Sequence, residues 1–513
     1  MKTRVFYLLV FLLFLVLYYP SLNCGFFSDD YVNLNLAQNS SIFHSDSYSI
    51  NNFFIPFDFL FKKIEYYFWG DVYFFYQLVN FCLIFLSFIF FNKIITRISE
   101  ILNSKIIYYS SFFSPLIFCV FPYNTEAVNW YSAQHYLCAT LLFLMGVQWY
   151  LKAKISNLRK DLFISTFLFL FSILFKEITI IFPLIILIID FAILKQKVKA
   201  IFIQQFTYLL IIGLYFILRK YFIGEFIGGY GELVHLNFNF QLLSHNLMAY
   251  LSKFFFLHRY IPKEIRIHLY YIVPILILIF LKTTSNSNAV FKGKLKIFLI
   301  IVVSVIVALF PVLTLETSFL HSIQSDRYGY LPSIFVSIFF GYLIALLYSE
   351  FSFLNKKLRI LGISSIILFI ISLGYCTFST NIHWGAAANI RDEFVRFSKN
   401  SKIKKEGVII LNIPDNYEGV YIFRNGFEQF LLRENCYKNI KYFLKFEMCR
   451  EQGFDVRINV NEYYFKMTTG MIYNVNHDLF KINRLSSRSI YFEKKSNAQV
   501  FYYDGFTFSE FVR

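Results

Sequence analysis

Along the first 378 residues, apolar and polar positions alternate in long blocks. Apolar runs lie near 5–22, 73–91, 106–121, 132–151, 162–175, 178–194, 201–218, 268–281, 297–313, 332–348 and 360–378. They approach the roughly 17–25 residues with which an α-helix crosses a bilayer, so the pattern predicts eleven membrane spans. A further apolar stretch, 240–260, reads as interfacial or re-entrant, because a crossing there would invert the charge pattern of the following loops. Residues 5–22 are followed by no small-x-small cleavage site, and Ser21-Leu22-Asn23 before Cys24 lacks the leucine placement of a lipoprotein box, so they read as an uncleaved first span. After residue 380 the periods shorten. Trp384, Ile390, Phe394 and Phe397 recur at near-helical spacing. Gly407–Pro414 reads as a buried strand and Tyr421–Arg433 as a helix. Val456–Val460, Tyr463–Met467, Ser489–Phe492 and Val500–Tyr503 read as short strands. The predicted fold is a polytopic α-helical membrane protein: a transmembrane domain over 1–379, with a first outer loop over 23–72, then a small extracytoplasmic α/β domain over 380–513.

Composition agrees with this reading. Of 513 residues, 57% are hydrophobic and only 16% charged, and mean hydropathy is +0.54, which excludes collagen-like, disordered and disulfide-framework classes. The richness in Phe, Ile, Asn, Lys and Tyr has the look of base-composition bias, so aromatic content alone carries no functional message. The net charge of +17 is concentrated in alternate short loops. These hold 19 Lys/Arg (Lys2 to Arg359) against four acids, Glu100, Asp161, Asp190 and Glu350. The intervening segments hold 10 against 13, and the tail 20 against 15. That is the positive-inside pattern, not a nucleic-acid surface. It places the N-terminus in the cytoplasm and the tail outside, in a cell inner membrane or one of endoplasmic-reticulum type. The seven cysteines show no metal-ligand spacing. Cys436 and Cys449, the two in the exported tail, are expected to be able to form a disulfide. No cofactor is indicated; a divalent metal is compatible with the residues, but nothing in their spacing calls for one.

Four polar constellations fall on the outer side of this topology. Asp29-Asp30 follows Phe26-Phe27-Ser28 where the first span emerges, and reads either as an acid or base at the bilayer–water boundary or as the cap of a helix over Tyr31–Gln38. Pro122 to His135 joins the third and fourth spans. Its Trp130 and Tyr131 suit interfacial aromatics, and Glu126 and His135 suit partners inside a bundle. Lys176-Glu177 joins the fifth and sixth spans with almost no loop, as an internal ion pair or the lining of a polar cavity. Arg327, in Ser325-Asp326-Arg327-Tyr328, suits an interface-snorkelling cation or a phosphate ligand. Carboxylates beside cations fit sugar transfer from a lipid phosphate: the acceptor hydroxyl needs a base, and the departing phosphate needs only charge stabilisation.

The segments Phe27-Ser28-Asp29-Asp30-Tyr31, Asn124-Thr125-Glu126-Ala127-Val128-Asn129-Trp130, Phe175-Lys176-Glu177, and Asp326-Arg327-Tyr328 with Tyr330-Leu331-Pro332 resemble, in order and membrane side, the GT-C superfamily of integral-membrane glycosyltransferases. Within it the chain is most similar to transmembrane O-mannosyltransferases that carry tetratricopeptide repeats, and to their bacterial relatives. The resemblance covers roughly residues 1–378. It implies inverting transfer from a polyprenyl-phosphate-linked sugar to a hydroxyl of a protein or glycan. The base role would fall on Asp29 or Asp30, phosphate contact on Lys176 and Arg327, and further substrate contacts on Glu126, His135 and Glu177. The chain departs from its relatives in two respects. Gln134-His135-Tyr136 stands where they often carry an Arg-Ala-Asp-like run, so His135 is a candidate replacement for a cation, and the tail shows no tetratricopeptide period. A lipid-linked oligosaccharide polymerase or ligase would favour arginine-rich outer loops and a large inter-span loop; a transporter or flippase would favour internal repeats. A cytoplasmic nucleotide-binding motif is absent, which disfavours direct use of a nucleotide sugar.

Overall fold

The computed structural model describes residues 3–41, 49–50, 53–226, 239–285, 287–315, 323–351, 355–401, 407–436, 442–448, 456–459, 462–466, 472–474, 480–486, 489–494, 498–503 and 507–510. The chain divides into two units, one of residues 1–23 and 36–381, the other of residues 24–35 and 382–513.

The first unit is a bundle of apolar helices, the form a chain takes where lipid offers no partner to a backbone N–H or C=O. Its helices are α1 (Thr3–Tyr18), α2 (Asp29–Asn39, begun in the second unit), α3 (Pro56–Trp69), α4 (Tyr73–Leu102), α5 (Lys105–Cys119), α6 (Thr125–Asn129), α7 (Gln134–Ser156), α8 (Arg159–Phe175), α9 (Phe182–Ile189), α10 (Val198–Ile223), α11 (Phe240–Phe255), α12 (Lys263–Thr283), α13 (Asn288–Leu309), α14 (Tyr330–Phe351) and α15 (Lys356–Asn400). Among the described residues nine helical stretches are long and apolar enough to cross a membrane, or ten if a bent pair is counted as one span. The protein is therefore a multi-pass membrane protein. Each of the eleven apolar runs coincides with helical structure, but two of the helices are too short to be among the nine. α8 has 17 residues and α5 only 15. α5 stops ahead of Pro122, and the chain turns by 53° into the short helical stretch Pro122–Asn129. The stretch read as interfacial or re-entrant contains the 16-residue α11, which is not among the nine.

Side-chain amides fasten this break. Asn129 Oδ1 accepts from Ser21 Oγ at 2.8 Å and Gln77 Nε2 at 3.1 Å, and its Nδ2 donates to Asn381 Oδ1 at 2.6 Å. Asn381 in turn donates to the Leu17 carbonyl, Asn80 to the Val128 carbonyl and Thr377 to the Val120 carbonyl. Backbone freed by the break is thus satisfied from α4 and α15, as a low-dielectric interior demands. Apolar packing completes the bundle. Phe6, Val10, Phe88 and Cys119 join α1, α4 and α5, while Leu281, Ile301, Phe339, Tyr342 and Leu346 join α12, α13 and α14.

The first unit also holds the short hairpin of β1 (Ser49–Ile50) and β2 (Phe53–Phe54); the second contains the end of α15, α16 (Phe427–Arg433) and the hairpin of β4 (Asn416–Tyr417) and β5 (Val420–Tyr421). Its larger sheet has the central strand β3 (Gly407–Pro414) parallel to β12 (Ala498–Tyr503) and β6 (Tyr442–Met448), with antiparallel edges β13 (Phe508–Glu510) and β9 (Ile472–Asn474). A second, antiparallel sheet orders β10 (Phe480–Ser486), β11 (Ser489–Lys494), β8 (Glu462–Lys466) and β7 (Val456–Asn459). Phe394 on α15 lies with its ring centroid 5.1–5.9 Å from those of Phe423, Phe427, Phe430 and Phe508, forming the local core. The expected helix over Tyr421–Arg433 begins only at Phe427. Gly426 precedes it at φ +66°, and a Cβ there would meet the Ser28 carbonyl at 2.7 Å. Asp415 precedes the short strand Asn416–Tyr417, which pairs antiparallel with Val420–Tyr421, and Arg424-Asn425-Gly426 is a turn segment. The Asp415 carbonyl accepts from Ile422 N–H, Asn416 Oδ1 from Gly419 N–H, and Ser28 Oγ from Asn425 N–H. Cys436 is buried; its expected partner Cys449 lies outside the described residues.

Where α14 crosses α5, Gly341 lies against Ser114, and a Cβ at 341 would meet the Ser114 backbone nitrogen at 2.7 Å. Gly341→Leu should therefore force the helices apart, costing about 1–3 kcal/mol or more. The check is thermal unfolding of the purified variant in detergent. An unchanged unfolding temperature would show that the two helices do not meet there.

Candidate functional site

α3 begins at Pro56, where a proline's fixed φ suits the first helical turn. Helical spacing then sets Asp58, Lys62 and Glu65 (i, i+4, i+7) on one face, and all three are buried. Lys62 Nζ lies 2.8 Å from Asp58 Oδ2 and 5.4 Å from the Tyr131 ring centroid. The start of α7 faces this helix: His135 Nδ1 lies 3.7 Å from Asp58 Oδ2, and Gln134 Nε2 donates to Glu65 Oε1 at 2.8 Å. Among the described residues, Asp58 Oδ1 and Glu65 Oε2 are buried without a hydrogen-bond partner. Burial works to raise the Asp58 pKa, but Lys62 and His135 hold it below the ordinary carboxylate value. Glu65 lacks such a close cation, and burial pushes it up to about 8 against the weaker pull of Gln134 and Lys62. One helix face thus carries an ionised and a protonated carboxyl at neutral pH.

Beside this face lies Lys176, in the extended residue between α8 and the next helical turn. Its Nζ is 3.0 Å from Glu177 Oε1, 3.7 Å from the Phe53 ring centroid and 5.5 Å from that of Tyr136. Tyr136 continues the contact to Tyr328 at 6.1 Å between centroids, and the Arg327 guanidinium lies 4.5 Å from the Tyr328 ring and 4.9 Å from that of Trp130. Arg327 is buried. Its Nη1 donates to Glu126 Oε1 at 2.5 Å and its backbone N–H to Glu126 Oε2 at 2.7 Å. Next to it, Asp326 takes Lys253 Nζ at 2.5 Å and Arg259 Nη2 at 2.9 Å.

Several pairings differ from those the sequence implied. Glu126 and His135 are not each other's partners, because Arg327 claims the first and Asp58 the second. Arg327 is no snorkelling cation: it is enclosed, and its carboxylate comes from Glu126, 201 residues away in the chain. Trp130 and Tyr131 are buried against the charged cluster and do not face an interface. Lys176 does pair with Glu177, whose side chain remains about a third exposed (31%).

The catalytic candidates Asp29 and Asp30 lie in the other unit, at the start of α2. Asp30 is fully buried, and its Oδ2 accepts from the Phe27 N–H at 2.9 Å, closing the turn ahead of the helix. Asp29 is half-buried. The second unit holds this turn through the Ser28 N–H to the Ile422 carbonyl and the Arg391 guanidinium to the Phe26 carbonyl.

Lys62, Gln134, Lys253 and Arg259 were not singled out from sequence. The Asp58–Lys62–Glu65 spacing carried a signal, and so did Lys253 and Arg259 as charges within an apolar stretch. Among the described residues no group of three His, Cys, Asp or Glu side chains is placed to hold a metal ion. No protein-family model matches the chain, and no curated protein matches it.

The Glu65 environment makes a signed prediction. Its folded pKa of about 8 exceeds the ordinary 4.5, so the stability carried by the protonated form is complete below pH 4.5 and is lost progressively up to about pH 8. Glu65→Gln keeps an acceptor for Gln134 and cannot ionise. The unfolding temperature of this variant should rise above that of the parent between pH 5 and 8, by about 2–4 °C for each kcal/mol relieved. Parallel curves for the two proteins over that range would mean that Glu65 is not strained toward protonation. Asp58 has the opposite sign: its contribution is present above its ordinary pKa and falls away only on acidification below it.

Proposed function

We propose that the protein is a membrane glycosyltransferase that moves a sugar from a polyprenyl-phosphate donor to a hydroxyl of a protein or glycan acceptor, with inversion, on the outer face of a GT-C-like bundle of about eleven spans. The observation that carries this reading is the buried cluster in which Lys176 and Arg327, from distant segments of the chain, are joined through the rings of Tyr136 and Tyr328. Cations framed by aromatic faces suit a phosphate that arrives attached to an apolar chain.

The two cations take different parts. Glu177 is the more exposed partner of Lys176, so a donor phosphate displaces it and takes the ammonium. Arg327 keeps Glu126, which accepts two hydrogen bonds from it, and acts as a positioning residue for that side of the cluster. Asp29 takes the base role assigned by the resemblance. Asp30 has an oxygen engaged in the turn, whereas Asp29 is half-buried at the helix start. In the reaction the acceptor O–H gives its proton to the Asp29 carboxylate. The oxygen attacks the anomeric carbon, and the bond from that carbon to the phosphate oxygen breaks with its electron pair, releasing polyprenyl phosphate. The leaving phosphate needs charge stabilisation from Lys176 and no second proton donor.

Membranes of the native host, supplied with labelled polyprenyl-phosphate hexoses, provide the test. Asp29→Asn should lower turnover at least a hundredfold, the lower end of general-base catalysis, with donor binding and folding retained. Asp30→Asn should instead impair folding. Lys176→Ala should weaken donor use roughly ten- to a hundredfold, the worth of one charge-assisted contact of about 1.5–3 kcal/mol. Arg327→Ala should cost about 3–5 kcal/mol of stability, because it leaves Glu126 buried and unpaired. Near-normal transfer by Asp29→Asn would move the base elsewhere, and no labelled product from any polyprenyl-phosphate hexose would refute the reading.

A further inference from the structure

The transmembrane unit holds a cavity of about 480 Å³ between α4, α5, α7, α9, α13 and α14, walled by residues such as Phe91, Phe143, Ile189, Ile300 and Phe335. Its size falls within the roughly 300–1,000 Å³ of ligand sites. A second cavity of about 500 Å³ adjoins it, sharing Ile188, Ala192, Lys296 and Ile300. That cavity opens past Phe191, Leu299 and Val303, all strongly exposed apolar side chains on the surface that meets lipid.

The charged lining is basic and comes from the residue that ends the α9 stretch and from α13. Lys195 and Lys296 line the first cavity, and Lys292 and Lys296 the second. All three are exposed and have no ion-pair partner among the described residues, in contrast to Lys294, which is buried and paired with Glu350. Among the described residues neither cavity is lined by a carboxylate. The wall is locally rewound: Asp190–Leu194 forms a π-helical turn, and Lys195 ends it at φ +51°. Such turns are rare and concentrate at functional sites. Opposite, Gly293 lines the cavity with open space where a Cβ would stand.

We infer that this cavity binds an anionic phospholipid, its acyl chains between α9 and α13 and its phosphate on Lys195, Lys292 and Lys296. Apolar walls alone admit any lipid; the unpaired lysines select the negative headgroup. This phosphate is not the donor's. Lys176 and Lys195 flank the 18-residue stretch Glu177–Leu194, which at 1.5 Å per residue separates them by about 27 Å. The inference stands independently of the transfer reaction.

The test is native mass spectrometry of the purified full chain, released from nanodiscs of phosphatidylcholine with or without phosphatidylglycerol. The wild type should retain phosphatidylglycerol at least tenfold over phosphatidylcholine. Lys195→Gln with Lys296→Gln should abolish that preference. Gly293→Phe, which fills the cavity from an open position, should reduce retention of both lipids while the thermal unfolding transition persists. Equal retention of the two lipids by the wild type, or unchanged retention in the folded variants, would overturn the proposal. So would displacement of phosphatidylglycerol by equimolar polyprenyl phosphate, which would give the cavity to the donor chain.

Discussion

A helix broken inside an apolar bundle must find partners for the polar groups it frees, and this constraint organises the transmembrane unit. The break lies at Pro122–Trp130. Asn129 ties it to Ser21, Gln77 and Asn381, Asn80 holds its Val128 carbonyl, and Glu126 binds both the side chain and the backbone of Arg327. Each of these bonds joins residues far apart in sequence. Without them the break would leave unsatisfied groups at a cost of roughly several kcal/mol apiece in lipid. The same bonds fix where Trp130, Tyr131 and His135 stand, and so where charge gathers.

Charge gathers there because each ion has a defined counter-ion. Glu126 holds Arg327, Asp326 holds Lys253 and Arg259, and Asp58 holds Lys62. Buried pairs of this kind add little net stability compared with apolar packing, but losing one partner is costly. They therefore serve as rigid scaffolding for the more exposed Lys176–Glu177 pair, where exchange of one anion for another is least costly. Preorganised cations of this kind are what the proposed phosphate departure would require.

Most of the helical architecture was legible in the sequence, because a long apolar run in lipid has almost no alternative to the helix. The shortness of α5 was legible only in part: Pro122 marks a break but does not set its 53° angle. Pairings were harder to read. Lys176–Glu177 was visible as neighbours, whereas Glu126–Arg327 joins residues 201 apart, and hydropathy carries no information about such contacts. The Asp58–Lys62–Glu65 face was present as helical spacing, but it falls within the first outer loop, where the apolar pattern gives no helix. In the second unit, β3, β7, β8, β11 and β12 followed the β-rich runs. β6, β9 and β10 did not, because strands such as Tyr442–Met448 interleave Lys and Glu with aromatics and have no clean period. At the Asp29-Asp30 pair, it is the Asp30 side chain that closes the turn ahead of the helix, a placement that two identical adjacent residues cannot reveal.

Comparison of surface glycans and glycoproteins from native-host cells with and without this chain, read by mass spectrometry, tests the account most directly. The account predicts that a defined sugar increment disappears with the chain, and that polyprenyl-phosphate-linked sugar accumulates in its place. An unchanged set of glycans and glycoproteins, with no change in the lipid-linked sugar pool, would contradict it.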